Sequence, residues 1–297
     1  MSRRLVKSMP QTGGIEIRLL GQSDIPAAMQ LKELARWNQT ETDWRRLLQL
    51  EPSGCFGAYL DGSLVGTTTT TTYDRELAWI GMVLVSPENR RCGIATHLIH
   101  TALEYLSGKV TTVKLDATPE GQTVYERLGF EVESLIERYV GVAPVPVVSS
   151  SNVVCETKLD FETSRQIVEL DRFVFGADRS RLVKILIDDA SVAPVWQRAA
   201  DGRLSGYGLA RRGTSADYVG PVIVTEAETA GPLLDRLLGQ LPDQQIYVDL
   251  NSSFKNGKGV LTDRGFRKQR DLIRMSRGTK STPTSPFVFA IAGPEIG

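Results

Sequence analysis

One pattern in this chain occurs twice, and it restricts the possible folds more than any other feature. FGAYLDGSLVGTT at 56–68 and WQRAADGRLSGYGL at 196–209 each read as an apolar run, an Asp-Gly turn and a second run containing glycine. Asp-Gly between strand-like runs is a strong hairpin signal, because both residues tolerate the positive φ that a tight hairpin turn needs. The turns Asp61-Gly62 and Asp201-Gly202 lie 140 positions apart. IGMVLV at 80–85 and VGPVIV at 219–224 follow, with Gly81 and Gly220 separated by 139. YERLGFEVESLIER at 125–138 and LTDRGFRKQRDLIR at 261–274 come later, their Gly-Phe pairs 136 apart. Three landmarks in one order at nearly constant spacing indicate a duplication. A period near 140 is a domain length, too long for a solenoid unit.

The chain of 297 residues has room for two such copies. Residues 1–13 are expected to be a flexible N-terminus, 14–140 the first copy, GVAPVPVVSSSN at 141–152 a linker, 153–280 a divergent second copy and 281–297 a tail. STPTSP breaks structure at the start of that tail, and FVFAIAG at 287–293 reads as a last strand or a docked segment. In copy one, GIEIRLL alternates as a strand. Asp24 is placed to cap a helix with Pro26 at its start, and a second helix is expected over 43–50. The six threonines at 67–72 suit a strand because they are β-branched. ELAWIGMVLV at 76–85 reads as a buried central strand ended by Ser86-Pro87, and a helix follows with Ile94, Leu98, Ala102, Tyr105 and Leu106 on one stripe. A strand at 109–116, a helix capped by Thr118 and stopped at Gly129, and last strands over 130–140 complete the copy. The fold class is α+β, mixed α/β, with a twisted mixed sheet flanked by helices in each copy.

Composition removes several function classes. Lys+Arg and Asp+Glu are equal at 35 each, so no basic surplus points to nucleic acid. The three cysteines form no close pair, no CxxC or HExxH occurs, and there are two histidines, so no disulfide framework or metal site is expected. No run approaches the roughly 18 apolar residues of a membrane span, and MSRRLVKSMPQTGG lacks an apolar core behind its basic residues. A cytoplasmic protein without a membrane partner is the expectation.

SPENRRCGIATHL at 86–98 carries the chemistry. A strand ends, a loop with two arginines follows, and a helix begins near Gly93. The first amides of a helix have no internal acceptors and sit at the positive end of its dipole, so they can receive an anion such as a phosphate. Gly93 allows close approach, Ala95 keeps the entrance clear, Thr96 adds a hydroxyl, and Arg90 and Arg91 add charge. Neither the Walker pattern nor GxGxxG is present.

Arg-x-x-Gly-x-Ala at Arg90, Gly93 and Ala95, within LVSPENRRCGIATHLI and followed by VYERLGF, resembles the pyrophosphate loop of the GCN5-related N-acetyltransferases. The resemblance covers roughly 14–140. WNQT at 37–40, AWIGMVLV at 78–85 and KLDATPEGQTVYERLGF at 114–130 resemble a bacterial subgroup with a second, divergent domain of the same fold. It implies an acetyl-CoA–dependent enzyme, and the amine of a small molecule is the expected acceptor. The amides of Arg91, Cys92, Gly93, Ile94, Ala95 and Thr96 would hold the diphosphate, and Met82, Val83 and Val85 would pair with pantetheine. A backbone N–H near Val83 would polarise the thioester, and Tyr125 would protonate the leaving sulfur.

The general base stays open between Asp116, Glu41, Asp43 and a water relay, because Gly81 and Met82 stand where some relatives carry an acid. Trp37, Asn38, Trp79 and Asp116 are candidate acceptor-pocket residues. His97 and His100 read as structural, and Cys92 as an unpromising nucleophile. In copy two the arginines are missing, Pro232 replaces the loop glycine and Leu261 stands for Tyr125. Weak or no acetyl-CoA binding is expected there, with Asp178, Arg179 and Asp249 as polar residues of interest. Competing readings are an acyl-CoA sensor without turnover and a protein or peptide N-acetyltransferase.

Overall fold

The computed structural model describes residues 14–143, 153–279 and 285–297. The expected flexible N-terminus, most of the expected linker and most of STPTSP lie outside the described residues. Copy one opens with β1 (Ile15–Leu19), α1 (Ile25–Leu34) and α2 (Glu41–Leu50). α2 starts two residues before the expected Asp43 because Thr40 and Asp43 cap each other: Asp43 N donates to Thr40 Oγ1 and Thr40 N donates to Asp43 Oδ2. Asp24 does not cap α1 with its side chain; its carboxylate accepts from Gly21 N at 2.8 Å and closes a single turn ahead of the helix.

The hairpin β2 (Phe56–Leu60) and β3 (Ser63–Tyr73) turns on Asp61 and Gly62 at φ 49 and 79. β3 carries the threonines and lies between β2 and β4 (Leu77–Val85). Thr67–Thr71 are buried; Thr67 and Thr70 hydroxyls donate to Met82 O and Gly54 O, holding neighbouring segments on either side. Then come α3 (Ile94–Leu106), β5 (Thr112–Ala117), α4 (Pro119–Arg127) and β6 (Glu131–Val142). α4 is capped by Thr118, which accepts from Gly121 N, and Gly129 follows it at φ 85.

Copy two repeats the series as β7 (Val153–Cys155), α5 (Phe161–Phe175), α6 (Ser180–Asp188), β8 (Val195–Arg198), β9 (Leu204–Arg211), β10 (Asp217–Val224), α7 (Ala230–Leu238), β11 (Gln245–Asn251), α8 (Gly257–Thr262) and β12 (Arg267–Gly278). One further strand, β13 (Val288–Ala290), has no counterpart among the described residues of copy one.

All described strands join one sheet, in the order β1-β2-β3-β4-β5-β12-β6-β11-β13-β10-β9-β8-β7. Apart from β13, this order reads the same from either end once equivalent strands are matched. Its centre is a reciprocal exchange. β12 of copy two lies antiparallel between β5 and β6, and β6 of copy one lies antiparallel between β12 and β11. The sequence suggested several last strands over 130–140; instead one strand runs from Glu131 to Val142, and its neighbours come from copy two. The repeat boundaries near 140 and 153 therefore do not divide the sheet.

The exchange is fixed by packing and by charge. Ile273 and Met275 of β12 are buried with Ile80, Ile99 and Leu115 of copy one, while Tyr139 of β6 is buried with Val219, Val248 and Leu261 of copy two. Arg274 of β12 makes two hydrogen bonds to Asp116 of β5, each 2.8 Å. Arg138 of β6 makes two to Asp249 of β11, at 2.7 and 2.6 Å. Arg138 and Arg274 each stand nine residues after the glycine of their Gly-Phe pair, so the two bidentate pairs are equivalents. All four side chains are buried.

Candidate active site

β4 and β5 run parallel only briefly, pairing Leu77–Trp79 with Thr112–Lys114, and then diverge. At the divergence β4 bulges: Thr69 faces Gly81 while Thr67 faces Leu84, so an extra residue is inserted on β4. Met82 takes φ 48 there. The diverging strands and α4 border a cleft open to solvent. Ile80, Gly81, Met82 and Val83 line one side, and Leu115, Asp116, Thr118 and Tyr125 the other. Trp37, Gln39, Arg138, Arg270, Leu272, Pro294 and Glu295 complete it.

The anion loop leaves the end of β4. Arg91 and Gly93 both take left-handed backbone, at φ 64 and 81, and Gly93 is the N-cap of α3 without a side-chain cap. Alternation of left- and right-handed residues turns successive amides toward one concavity. The first helical bond is His97 N to Gly93 O, and no acceptor is found among the described residues for the amides of residues 91–96. Arg90, Arg91 and Cys92 are exposed. His100 is exposed on α3.

Tyr125 projects from α4, edge-on to Phe130 with ring centroids 6.0 Å apart. Burial pushes its phenol above the usual tyrosine range, so it stays protonated. Asp116 lines the cleft with its carboxylate engaged by Arg274; burial pushes it up against the pull of that guanidinium. Its equivalent Asp249 is held down despite burial, because Arg138 binds it, Arg270 adds positive charge and the Tyr218 hydroxyl donates to it.

The sequence candidates separate. Trp37 lines the cleft. Asn38 instead fastens the two copies: its Nδ2 donates to Ala216 O at 2.8 Å and its Oδ1 accepts from the amides of Ser215 and Ala216. Trp79 is buried beneath Arg274 and donates to Pro294 O. Asp43 is enclosed by Arg46 and Arg211, which outweigh burial and hold it below the ordinary aspartate range. Glu41 is exposed and paired with Arg45. Arg179 is buried against Asp171 and donates to Gly297 O, while Asp178 accepts from Ser180 N at the start of α6.

What sequence reasoning missed is the segment after β13. β13 fills the divergence between β10 and β11, antiparallel to both, with Ala290 facing Val222 and Leu250. The chain then crosses into copy one, where Tyr73 Oη donates to Ile296 O and Gly297 packs on Trp79. Glu295 lies directly over Gly81, where an added Cβ would come within 2.5 Å of the Glu295 carbonyl oxygen. Its carboxylate accepts from Arg211 at 3.0 Å and from Gln39 at 2.8 Å. Burial and nearby Asp43 push Glu295 above the usual glutamate range against the pull of Arg211. The available signal was one acid inside the otherwise apolar FVFAIAGPEIG.

Among the described residues, no group of three or more His, Cys, Asp or Glu side chains is arranged to hold a metal ion. No helix among them is long and apolar enough to cross a membrane.

Residues 26–130 match the profile of the Acetyltransferase (GNAT) family, and residues 167–287 that of an Acetyltransferase (GNAT) domain. The chain is 26% identical over 287 residues to the uncharacterized N-acetyltransferase YitH of Bacillus subtilis (strain 168), spanning 95% of this chain and 98% of that protein. A Pyrococcus horikoshii protein solved as a candidate acetyltransferase has 22% identity and a TM-score of 0.83 over 100% of both chains. A tandem GNAT protein from the clavulanic acid biosynthesis pathway has 16% identity and a TM-score of 0.64, covering 90% of this chain and 99% of that one. At these identities the solved structures speak to the fold.

Proposed function

The chain belongs to the GCN5-related N-acetyltransferase superfamily as a tandem member, an acyltransferase by family, and from that premise we propose that copy one moves an acetyl group from acetyl-CoA to the amine of a small molecule. The contrast between the two strand divergences carries this reading. In copy two the opening between β10 and β11 accepts an extended peptide, β13; in copy one the same opening is a cleft lined by the β4 bulge and Tyr125. An extended pantetheine arm asks the same of its host as a strand does: edge hydrogen bonds and a narrow apolar slot.

Acetyl-CoA brings a thioester carbonyl and a sulfur leaving group. The amides of residues 91–96 suit its diphosphate, since they converge on the N-terminus of α3 without acceptors of their own. Arg90 and Arg91 add charge at the mouth. Met82, Val83 and Val85 offer the backbone edge of β4, and a Val83 N–H directed into the cleft would polarise the carbonyl. Tyr125, kept neutral by burial, is the proton donor to the leaving sulfur. Copy two is ill suited to the same task. Pro221, the equivalent of Met82, has no N–H to offer, and Leu261, the equivalent of Tyr125, is buried core.

Calorimetric titration with CoA, followed by release of free thiol from acetyl-CoA over an amine panel, tests the reading. Binding to wild-type protein with thiol release supports it. Binding without release from any amine or peptide would favour an acyl-CoA sensor, and release with peptides alone a protein N-acetyltransferase.

A further inference from the structure

The donor side of the cleft follows the family; the acceptor side carries two charged residues, Glu295 and Arg270, that are not matched by charged residues among the described residues of copy one. Glu295 enters on the segment after β13, which has no counterpart among the described residues of copy one. Arg270 enters on β12, at a position whose equivalent in β6 is Ser134. Both line the cleft that holds Tyr125 and the β4 bulge.

The charges around the cleft are nearly all matched. Arg274 is bound to Asp116, Arg138 to Asp249, and Arg211 to Asp43 and Glu295. Arg270 stands apart. It lies across from Arg138 in the β12–β6 register, its Nε is buried without a hydrogen-bond partner, and no ion pair to it is found among the described residues. Asp249, the carboxylate that acts most strongly on it, is already held by two bonds from Arg138. A half-buried guanidinium pressed by a second guanidinium is stabilised by an anion that reaches both its donors and its charge. Glu295 offers the opposite partner: a buried carboxylate, resting on Gly81 beside the β4 bulge.

We propose that the acceptor is an amine that also carries an anionic group, its ammonium facing Glu295 and its anion bound by Arg270. The inference rests on the acetyl-transfer reading above. The amino-acid class, an amine with a carboxylate, fits directly, and an amino phosphate shares the chemistry. Glu295 takes one proton from the ammonium and frees the nitrogen lone pair. The N–C bond to the acetyl carbon forms as the C–S bond breaks; the sulfur leaves with the bonding electrons and takes the Tyr125 proton. The acylated nitrogen returns its surplus proton to the Tyr125 oxygen, and Glu295 releases its own to solvent. The charged groups facing Glu295 are Arg211 on β9, Asp43 on α2 and Arg138 on β6.

The test uses the full chain, first shown to bind CoA by calorimetry, so that failure of the donor reading registers separately. Thiol release from acetyl-CoA is then compared for each standard amino acid and its decarboxylated amine, and for O-phosphoethanolamine against ethanolamine. Wild-type protein is expected to favour the anionic member of a pair by about tenfold or more in kcat/KM, the size of one charge-assisted contact. Arg270→Gln should erase that preference by raising KM for the anionic member, leave KM for acetyl-CoA unchanged, and be partly rescued in Arg270→Lys. Glu295→Gln should lower kcat by about 100-fold in protein that remains folded at the assay temperature, and remove the acid limb of the kcat/KM profile. A preference for carboxylates over phosphates, or the reverse, identifies the anion. Preference for the uncharged member, a preference that survives Arg270→Gln, or no turnover and no thermal stabilisation by any anionic amine in CoA-saturated protein overturns the proposal. A Glu295→Gln variant that loses Tm but keeps kcat and its acid limb overturns the proton-transfer arm.

Discussion

Between β4 and β5, and again between β10 and β11, a short parallel pairing gives way to divergence at a bulge of matching position. One divergence is a cleft and the other holds β13. The backbone geometry of the repeat thus provides a strand-shaped opening without deciding what enters it. The residues around the opening decide. Gly93 with uncapped amides stands at one mouth, while at the other α7 begins at Ala230 after a turn carrying Glu228, with Pro232 inside it. Met82 corresponds to Pro221 in the repeat, and Tyr125 to Leu261.

The strongest way to break this comparison is Gly93→Asp. A carboxylate at the concavity, on a residue forced to φ 81, should lower CoA affinity by about 100-fold or more by calorimetry. Pro232→Gly in copy two should leave affinity unchanged. Equal losses in both variants would mean that the two mouths share the ligand.

The paired arginines sharpen the comparison next. Asp116→Asn and Asp249→Asn each leave a buried guanidinium without its charge partner and should cost about 3–5 kcal/mol in chemical denaturation. Only Asp116→Asn should also change the acceptor KM, since Asp116 alone of the two lines the cleft. Tyr125→Phe should lower kcat by about 10- to 100-fold with KM for acetyl-CoA unchanged, the effect of losing a general acid; unchanged turnover would remove Tyr125 from the chemistry. Gly81→Ala pushes against the Glu295 backbone and should cost about 1–3 kcal/mol, read as a lower Tm with reduced kcat. The smallest effect is an absence of change. A proton donor whose pKa is raised stays protonated further into alkali, so kcat should hold level from neutrality to about pH 9.

The repeat, the hairpins and the loop were legible because each has a local signature: Asp-Gly turns, a periodic apolar stripe, glycine before an uncapped helix. Glu295 and Arg270 were not, because their roles arise from long-range placement. Nothing near Glu295 in sequence reports that it will rest on Gly81, over two hundred positions earlier. The strand exchange was invisible for the same reason: Glu131–Val142 carries the same pattern whichever strands flank it. Asn38 looked like a pocket residue because WNQT is polar and aromatic where a core helix would be plain, and the structure uses it to hold the backbone of the other copy. Asp116 was found, but its tie to Arg274 lies 158 residues away and could not be read locally.

The reciprocal exchange also constrains how the protein is made. The first half leaves the ribosome with an unfilled place between β5 and β6, and the strand that fills it is translated more than a hundred residues later. Such distant pairing slows folding and keeps sheet edges exposed while synthesis continues. An isolated first half would be drawn toward a second copy of itself, each lending the other its β6, and would reconstruct the centre of the sheet as a symmetric pair. The fused chain secures that partner within one molecule, and its cleft is completed only when Pro294 and Glu295, far downstream of β4 and β5, reach it.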